Sequence, residues 1–365
     1  MKTKIVKTLD FIFGRALCLL LGCLTLFSNK KNKIAHTASI NKILIIRPGG
    51  LGDFLYLLST IELLKKEFPA AQIDLLAEKR NSAAGSLIKI PGKIMLYDRQ
   101  PFQALRTILF NNYDVVLDSE QFHYFSAVLA FLSRAGLRVG FDSVPVRNKL
   151  YTHLINYSLT GKEWQEFAKL LGPLGISEEE VKLQGMKSEE KTIMAGLSGK
   201  IVIVAPKGGD RYRAWGGEKY ATAINYLLND KERTVVIVGG ASEKILADEI
   251  IKSVAGEKKR VVSLINKTTL PELYKLLRQG ELFVGGDSGV AALANLAGIK
   301  SVLLFGPTDE RKWGPEGPGH VIVRKKLPCT PCYRLGKYKP CREINCLKEI
   351  TPQELIEAIK RVEKN

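Results

Sequence analysis

Three carboxylates follow apolar runs closely enough to stand at the ends of strands: Asp53 in RPGGLGDFLYLL, Glu243 in TVVIVGGASE and Asp287 in LFVGGDSGVAALANLAG. In the first stretch Gly49, Gly50 and Gly52 permit close backbone approach to a ligand, and Asp53 opens a helical pattern. A carboxylate so placed either caps the helix by accepting a backbone N–H or acts as general base for a hydroxyl held in the loop. The loop is not G-x-G-x-x-G, and no Gly-Lys-Ser/Thr follows it, which sets aside the ordinary dinucleotide and triphosphate cradles. In the third stretch Asp287, Ser288 and Gly289 mark a helix start, whose N–H groups and positive dipole end suit a phosphate; the same residues also make a plain cap. Lys207, Arg211 and Arg213 follow IVIVAP and either neutralise a diphosphate or form a solvated basic loop. Glu243 stands where an acid would take ribose hydroxyls, and equally where a first-turn Glu complements the helix dipole.

The chain has four histidines, His36, His123, His153 and His320. His123, in DSEQFHYFSA, could face a ligand together with Glu120, a surface position being the plainer alternative. Cys329, Cys332, Cys341 and Cys346 fall in the order C-x2-C-x8-C-x4-C, which could supply four thiolates to a structural zinc. Only the first pair has chelating spacing, so free thiols and disulfides stand as alternatives. A metal there would shape a domain edge, and no cofactor is expected for catalysis. Cys18 and Cys23 lie in an apolar segment and read as small hydrophobes.

Strands must carry these residues. From Lys42 onward, short β-rich runs at 43–46, 73–77, 94–97, 115–118 and 138–141 alternate with helical patterns. Between the first two, Phe54, Leu57, Leu58, Ile61, Leu64 and Phe68 recur at helical spacing. A second series has strands beginning at Ile201, Thr234, Val261, Leu282 and Ser301, with helices at 220–228, 243–254, 270–277 and 290–297. This is βαβ alternation, so the predicted class is α/β, with two doubly wound Rossmann-like domains facing a cleft. In such sheets ligands bind beyond the carboxyl ends of the strands, where the glycines and acids above lie. The expected division is an apolar segment at 1–40, a first domain at 41–185, a polar linker at 186–199, a second domain at 200–350 and a C-terminal helix at 351–365.

At 365 residues the chain exceeds what one hydrophobic core supports, and its 45% hydrophobic and 25% charged content is that of a folded protein. Its net charge of +18 favours a polyanionic partner. Zinc-finger spacing and RNP-like runs are missing, so no nucleic acid is expected. The polyanion is then a membrane surface or a phosphorylated substrate. Lys2, Lys4 and Lys7 precede FIFGRALCLLLGCLTLF, and Lys30, Lys31 and Lys33 follow it. The run falls short of the roughly 20 apolar residues a span needs and contains Arg15. The expectation is a helix associating with the membrane surface, its lysines on anionic headgroups; a signal-anchor, a signal peptide and a buried helix are the alternatives.

In their order and spacing, several stretches together resemble the heptosyltransferases of glycosyltransferase family 9, over about residues 42 to 360. They are ILIIRPGGLGD with its helix and KEFP, RAWGGEKYATAI, VGGASE, VGGDSG with its helix, FGPTDERKWGP, and the tail PCTPC…C…CLKEITPQELIEAI. The resemblance implies a GT-B architecture with an N-terminal acceptor domain and a C-terminal nucleotide-sugar domain. It implies inverting, metal-independent transfer of a sugar, heptose from ADP-heptose being the family expectation, to a lipopolysaccharide core or related glycolipid acceptor of the lipid A–core type. By this likeness Asp53 is the base, and Gly49, Gly50 and Gly52 form the acceptor-side loop. Lys207 and Arg213 lie near the donor phosphates, Glu243 holds the ribose, and Asp287, Ser288 and Gly289 cradle diphosphate and sugar. The lack of a D-x-D motif accords with charge stabilisation by protein groups. The implied place of work is the cytoplasmic face of the inner membrane. One departure is Ala292, where many members carry a histidine in D-S/T-G-x-x-H. It leaves two alternatives: a non-catalytic sugar-nucleotide-binding homologue, or a sugar-nucleotide epimerase on a similar fold.

Overall fold

The computed structural model describes residues 8–25, 40–183, 197–207, 212–339, 341 and 343–364. Residues 186–196 of the expected linker, the lysines flanking the apolar run, His36 and Arg211 lie outside the described residues. The chain divides into two compact units, Met1–Leu183 and Gln184–Asn365.

In the first unit six strands, β1 (Lys42–Arg47), β2 (Gln72–Ala77), β3 (Ile94–Leu96), β4 (Val115–Asp118), β5 (Leu137–Asp142) and β6 (His153–Asn156), form one parallel sheet in the order β3-β2-β1-β4-β5-β6. The sequences KILIIR, QIDLLA and VVLD are buried almost throughout, as strands covered on both faces must be. Long crossovers are needed between parallel neighbours, and α2 (Leu51–Glu67), α3 (Pro101–Phe110) and α4 (Tyr124–Leu132) lie in these connections, while α5 (Glu163–Lys169) follows β6 and packs on α2. α2 buries Phe54, Leu57, Leu58, Ile61 and Leu64 as their spacing predicts, while Phe68, the last of the predicted set, is its half-buried C-cap. β6 escapes prediction because HLIN sits at the sheet edge with alternating burial and offers no apolar run.

The second unit repeats the topology. β7 (Lys200–Ala205), β8 (Arg233–Ile237), β9 (Val261–Ser263), β10 (Leu282–Gly286), β11 (Ser301–Phe305) and β12 (His320–Arg324) are parallel in the order β12-β11-β10-β7-β8-β9. Its helices are α6 (Gly217–Leu227), α7 (Lys244–Ser253), α8 (Leu270–Gln279), α9 (Gly289–Ala297) and α10 (Pro352–Lys364). A core of Val202, Val204, Ile224, Leu282, Leu304 and Ile359 joins sheet to helices. Trp215 donates from Nε1 to the Ile350 carbonyl at 2.9 Å and ties the strand-end loop to the chain entering α10.

In both sheets the strand order reverses beside the first strand, between β1 and β4 and between β7 and β10. The loops leaving these carboxyl ends diverge there, which makes each reversal point the natural ligand crevice of its unit. The predicted motifs fall at both.

The N-terminal segment departs from expectation. A π-helical turn, Asp10–Gly14, continues as α1 (Arg15–Thr25) and packs against α4 and the short helix Pro145–Asn148. It is built into the first unit, where the expected separate membrane helix is not found. Among the described residues no helix is long and apolar enough to cross a membrane. The physical reason is its inner face: Asp10, Gly14, Cys18 and Gly22, four residues apart, are all buried and leave room for α4 to approach.

Candidate functional site

At the first reversal point the organising residue is Arg47, the last of β1. Its buried guanidinium donates from Nε to the Pro48 carbonyl at 2.7 Å and from one terminal nitrogen to the Ser119 carbonyl at 2.6 Å. The other terminal nitrogen donates to Glu120 Oε2 at 2.9 Å. The same nitrogen lies 4.0 Å from Asp53 Oδ2. Two carboxylates thus flank one cation, in unequal surroundings. Glu120 is wholly buried, and its second oxygen accepts from the backbone N–H groups of Gln121 and Phe122 at 3.0 and 3.1 Å. Burial opposes its ionisation, but His123, Arg47 and Arg147 outweigh that and hold its carboxyl below the usual range. Asp53 keeps 29% of its side chain exposed. Glu120 is therefore a fixed counter-ion, and Asp53 is the carboxylate that an incoming molecule reaches.

The glycines explain how Asp53 comes to face Arg47. Gly49 has φ of +102°, and a Cβ there would lie 3.1 Å from the Arg47 guanidinium. Gly50 occupies the N-cap position of α2 with extended backbone, no side chain caps the helix there, and Asp53 is the third helical residue. The cap reading of Asp53 thus gives way to a first-turn carboxylate turned toward the guanidinium. Gly52 lies within the first turn of α2.

His123 is not at the surface. Only 11% of its side chain is exposed, and its Nδ1 lies 3.2 Å from Asp10 Oδ2. Burial pulls its pKa down, yet Glu120 and then Asp10 raise it above the ordinary imidazole value. Beneath this loop Asp118 accepts from the Arg147 guanidinium at 3.1 Å and from the Tyr151 hydroxyl at 2.6 Å. Asp118 was visible as an acid ending the apolar run VVLD. Arg147, on a four-residue helix, carried no sequence signal. His153 and His320 lie in the edge strands β6 and β12.

At the second reversal point β10 delivers Asp287 and Ser288 to the start of α9. Ser288 is the N-cap, its Oγ accepting from the Ala291 N–H at 3.2 Å, and Gly289 is the first helical residue. The cap reading holds for Ser288 as the chain stands, and it keeps the hydroxyl at the positive end of the helix. Arg213 lies 3.3 Å from Asp287 Oδ2 and donates from Nε to the Tyr338 hydroxyl at 2.9 Å. Its guanidinium sits 5.6 Å from the centre of the Tyr333 ring, in a cation–π contact. Both tyrosines come from a hairpin, β13 (Tyr333–Arg334) and β14 (Lys337–Tyr338), that lies within the cysteine-rich tail and was not foreseen. Lys207, just beyond β7, stands 3.4 Å from Glu243 Oε1, while Oε2 of that acid accepts from the Gly240 N–H at 3.0 Å. The structure therefore gathers Lys207 with Glu243, and Arg213 with Asp287 and Ser288, at the end of one sheet. Ala292 is buried within α9.

The four tail cysteines are free thiols. Burial, and then the charges of Cys332, Cys329 and Cys341, push the Cys346 pKa up to about 11. The Cys341 thiol donates to the Glu343 carbonyl. Among the described residues no group of three or more histidine, cysteine or acidic side chains is arranged to hold a metal.

Comparison with known proteins agrees with this architecture. The chain is 26% identical over 288 residues to lipopolysaccharide heptosyltransferase 3 of Escherichia coli, covering 72% of this chain and 83% of that one. It is 28% identical over 152 residues to lipooligosaccharide heptosyltransferase 2 of Campylobacter jejuni, a match spanning 41% of this chain and only about half, 47%, of that relative. The solved structure of E. coli ADP-heptose lps heptosyltransferase II superposes with a TM-score of 0.70 at 19% identity, over 89% of this chain and 100% of that one, and shares its fold. The model of glycosyltransferase family 9 (heptosyltransferase) matches residues 102–342, and the chain belongs to that family.

Proposed function

We propose that this protein is an inverting glycosyltransferase that moves heptose from ADP-heptose to a lipopolysaccharide core or related glycolipid acceptor. The observation that carries the reading is the contrast between the two reversal points. One presents a solvent-reachable carboxylate beside a fixed guanidinium, and the other presents two cations and a helix start. The first arrangement suits a general base. The second suits a diphosphate leaving group. Family membership and the heptosyltransferase activity named for its relatives support the same reading.

In the proposed reaction the acceptor hydroxyl loses its proton to the Asp53 carboxylate as its oxygen bonds to the anomeric carbon. The bond from that carbon to the diphosphate oxygen breaks, and its electron pair leaves with ADP. Arg47, 4.0 Å from Asp53 Oδ2, holds that carboxylate at the mouth of the crevice. Arg213, Lys207 and the N–H groups at the start of α9 meet the charge that grows on the leaving group. Glu243 then orients the ribose from beside Lys207. Protein cations thus do what a metal ion held by a D-x-D motif would do.

Calorimetric titration with ADP, UDP, GDP and CMP tests the donor class. We expect selective binding of ADP, weakened in Arg213→Met and Glu243→Ala variants and unaffected by Asp53→Asn. Transfer from ADP-heptose to a core acceptor should be lost in Asp53→Asn. No binding of any nucleotide would return the weight to a degenerate homologue, with Ala292 the leading suspect.

A further inference from the structure

The segment Leu9–Leu24 has two faces of opposite character. Inward, Asp10 accepts from the Tyr124 and Phe125 backbone N–H groups at 3.1 and 2.7 Å, so a carboxylate from outside α4 caps that helix. Next along the same face, a Cβ at Gly14 would lie 2.8 Å from the Tyr124 Cβ, and Cys18 donates its thiol to the Tyr124 carbonyl at 3.5 Å. These contacts press the backbone onto α4. Outward, Phe11, Ile12, Phe13, Leu19, Leu20 and Leu24 are each between 50% and 61% exposed. Among the described residues fourteen large apolar side chains remain exposed, and eight of them fall between Leu9 and Leu24, so this is one patch and not scatter.

We propose that this outward face is a docking surface for an anionic lipid bilayer, with the helix lying in the plane of the headgroups and the first unit held rigidly against them. Three observations choose the occupant. Over its described residues the helix is too short to cross a bilayer, which suits it to the interfacial depth. Lys2, Lys4 and Lys7 precede it in sequence and Lys30, Lys31 and Lys33 follow it, the charge that anionic headgroups attract. A second copy of the chain carries the same net charge of +18 and the same flanking lysines, which disfavours self-association through this face. The attachment is stiff, because Asp10 fixes the helix to the His123 end of the loop whose Glu120 holds Arg47. The anchor thereby sets how the acceptor-side crevice of its own unit meets the membrane. The purpose assigned to this surface rests on the glycolipid-acceptor reading, but its test does not.

The test is sedimentation of the full-length chain with vesicles of phosphatidylcholine and phosphatidylglycerol, with phosphatidylcholine alone as control and no sugar nucleotide or acceptor present. The parent should bind the mixed vesicles. The double variant Phe13→Glu, Leu20→Glu should bind at least tenfold less tightly, since it puts charge on an apolar membrane contact. Its unfolding temperature and its ADP binding should match the parent, because both side chains face outward. A second pair, Ile12→Gln with Leu24→Gln, should weaken binding in the same direction should the first pair disturb folding. Undiminished vesicle binding by both pairs would overturn the proposal, as would equal binding of the parent to phosphatidylcholine alone. So would a lipid-free dimer of the parent, seen by sedimentation velocity, that either pair dissolves. A parent that binds vesicles yet transfers no sugar would refute the proposed function and leave the docking surface standing.

Discussion

Two carboxylates share the Arg47 guanidinium, and replacing each by its amide should produce opposite results. In Glu120→Gln the buried cation loses the acceptor at 2.9 Å and gains an amide that can present N–H groups to it. Arg47 keeps its bonds to the Pro48 and Ser119 carbonyls, and its nearest remaining charge is Asp53 at 4.0 Å. Breaking a fully buried pair on one side costs about 3–5 kcal/mol. For a unit of this size each kcal/mol lowers Tm by roughly 2–4 °C, so the first unit should melt roughly 6–20 °C lower. In Asp53→Asn the pair is longer and 29% exposed on the acid side, so the loss should be at most about 1 kcal/mol. Turnover with ADP-heptose and a core acceptor should fall at least about 100-fold, the usual worth of a general base. Scanning calorimetry and a coupled ADP-release assay on both variants measure the two effects. A Glu120→Gln variant with unchanged Tm would refute the counter-ion role, and an Asp53→Asn variant with parental turnover would refute the base.

Other substitutions probe the neighbouring geometry. Ser288→Ala removes the α9 cap and should cost about 0.5–2 kcal/mol, and it should also weaken ADP binding by calorimetry; lost stability with parental affinity would reduce Ser288 to a cap. Asp10→Ala should lower the melting temperature of the first unit through loss of about 1 kcal/mol of trans-capping, and hydrogen exchange at Tyr124 and Phe125 should rise with it. His123 has its pKa raised in the folded chain, so its stabilising charge is fully present below its unfolded value of about 6.5 and is lost as pH rises through the higher folded value. Melting curves of the parent should therefore fall relative to those of His123→Asn as pH climbs above neutrality, and parallel curves would exclude the pairing with Glu120 and Asp10.

What the sequence revealed follows from what leaves a local trace. Central strands are apolar runs because both faces are covered, and Asp53, Asp287 and Ser288 stand out because glycines and acids at strand ends are conspicuous. β6 and β12 were missed because edge strands are half wet. Glu120 was noticed, with ligand contact and a surface position both left open and burial against Arg47 not foreseen, since nothing local says that β4 lies beside β1, with Ile46 opposite Asp118. Only that pairing brings Glu120 to Arg47. Arg147 and the tyrosines around Arg213 were invisible for the same reason: each is recruited across long stretches of chain by a turn too short to have a period. The buried stripe at Asp10, Gly14, Cys18 and Gly22 was in principle legible, as four small or polar residues at helical spacing inside an apolar run. It is masked because only one residue in four belongs to it and the rest of the run is apolar.

The repeated topology sharpens the division of labour. Both units place a cation near the reversal point, but they balance it differently. In the first, Arg47 is spent inside the protein: three of its bonds go to buried oxygens, and the charge that remains within reach of solvent belongs to Asp53. In the second, Arg213 retains 22% and Lys207 28% side-chain exposure, and their acids stand 3.3 and 3.4 Å away, longer than a tight ion pair. A partly exposed cation whose carboxylate stands at such a distance can turn toward a phosphate at modest cost, whereas one locked into buried carbonyls cannot. The same strand order therefore yields a negatively biased crevice in one unit and an anion-accepting one in the other. That polarity, more than the glycine loops the two share in outline, is the ground on which we propose acceptor chemistry for the first and nucleotide binding for the second.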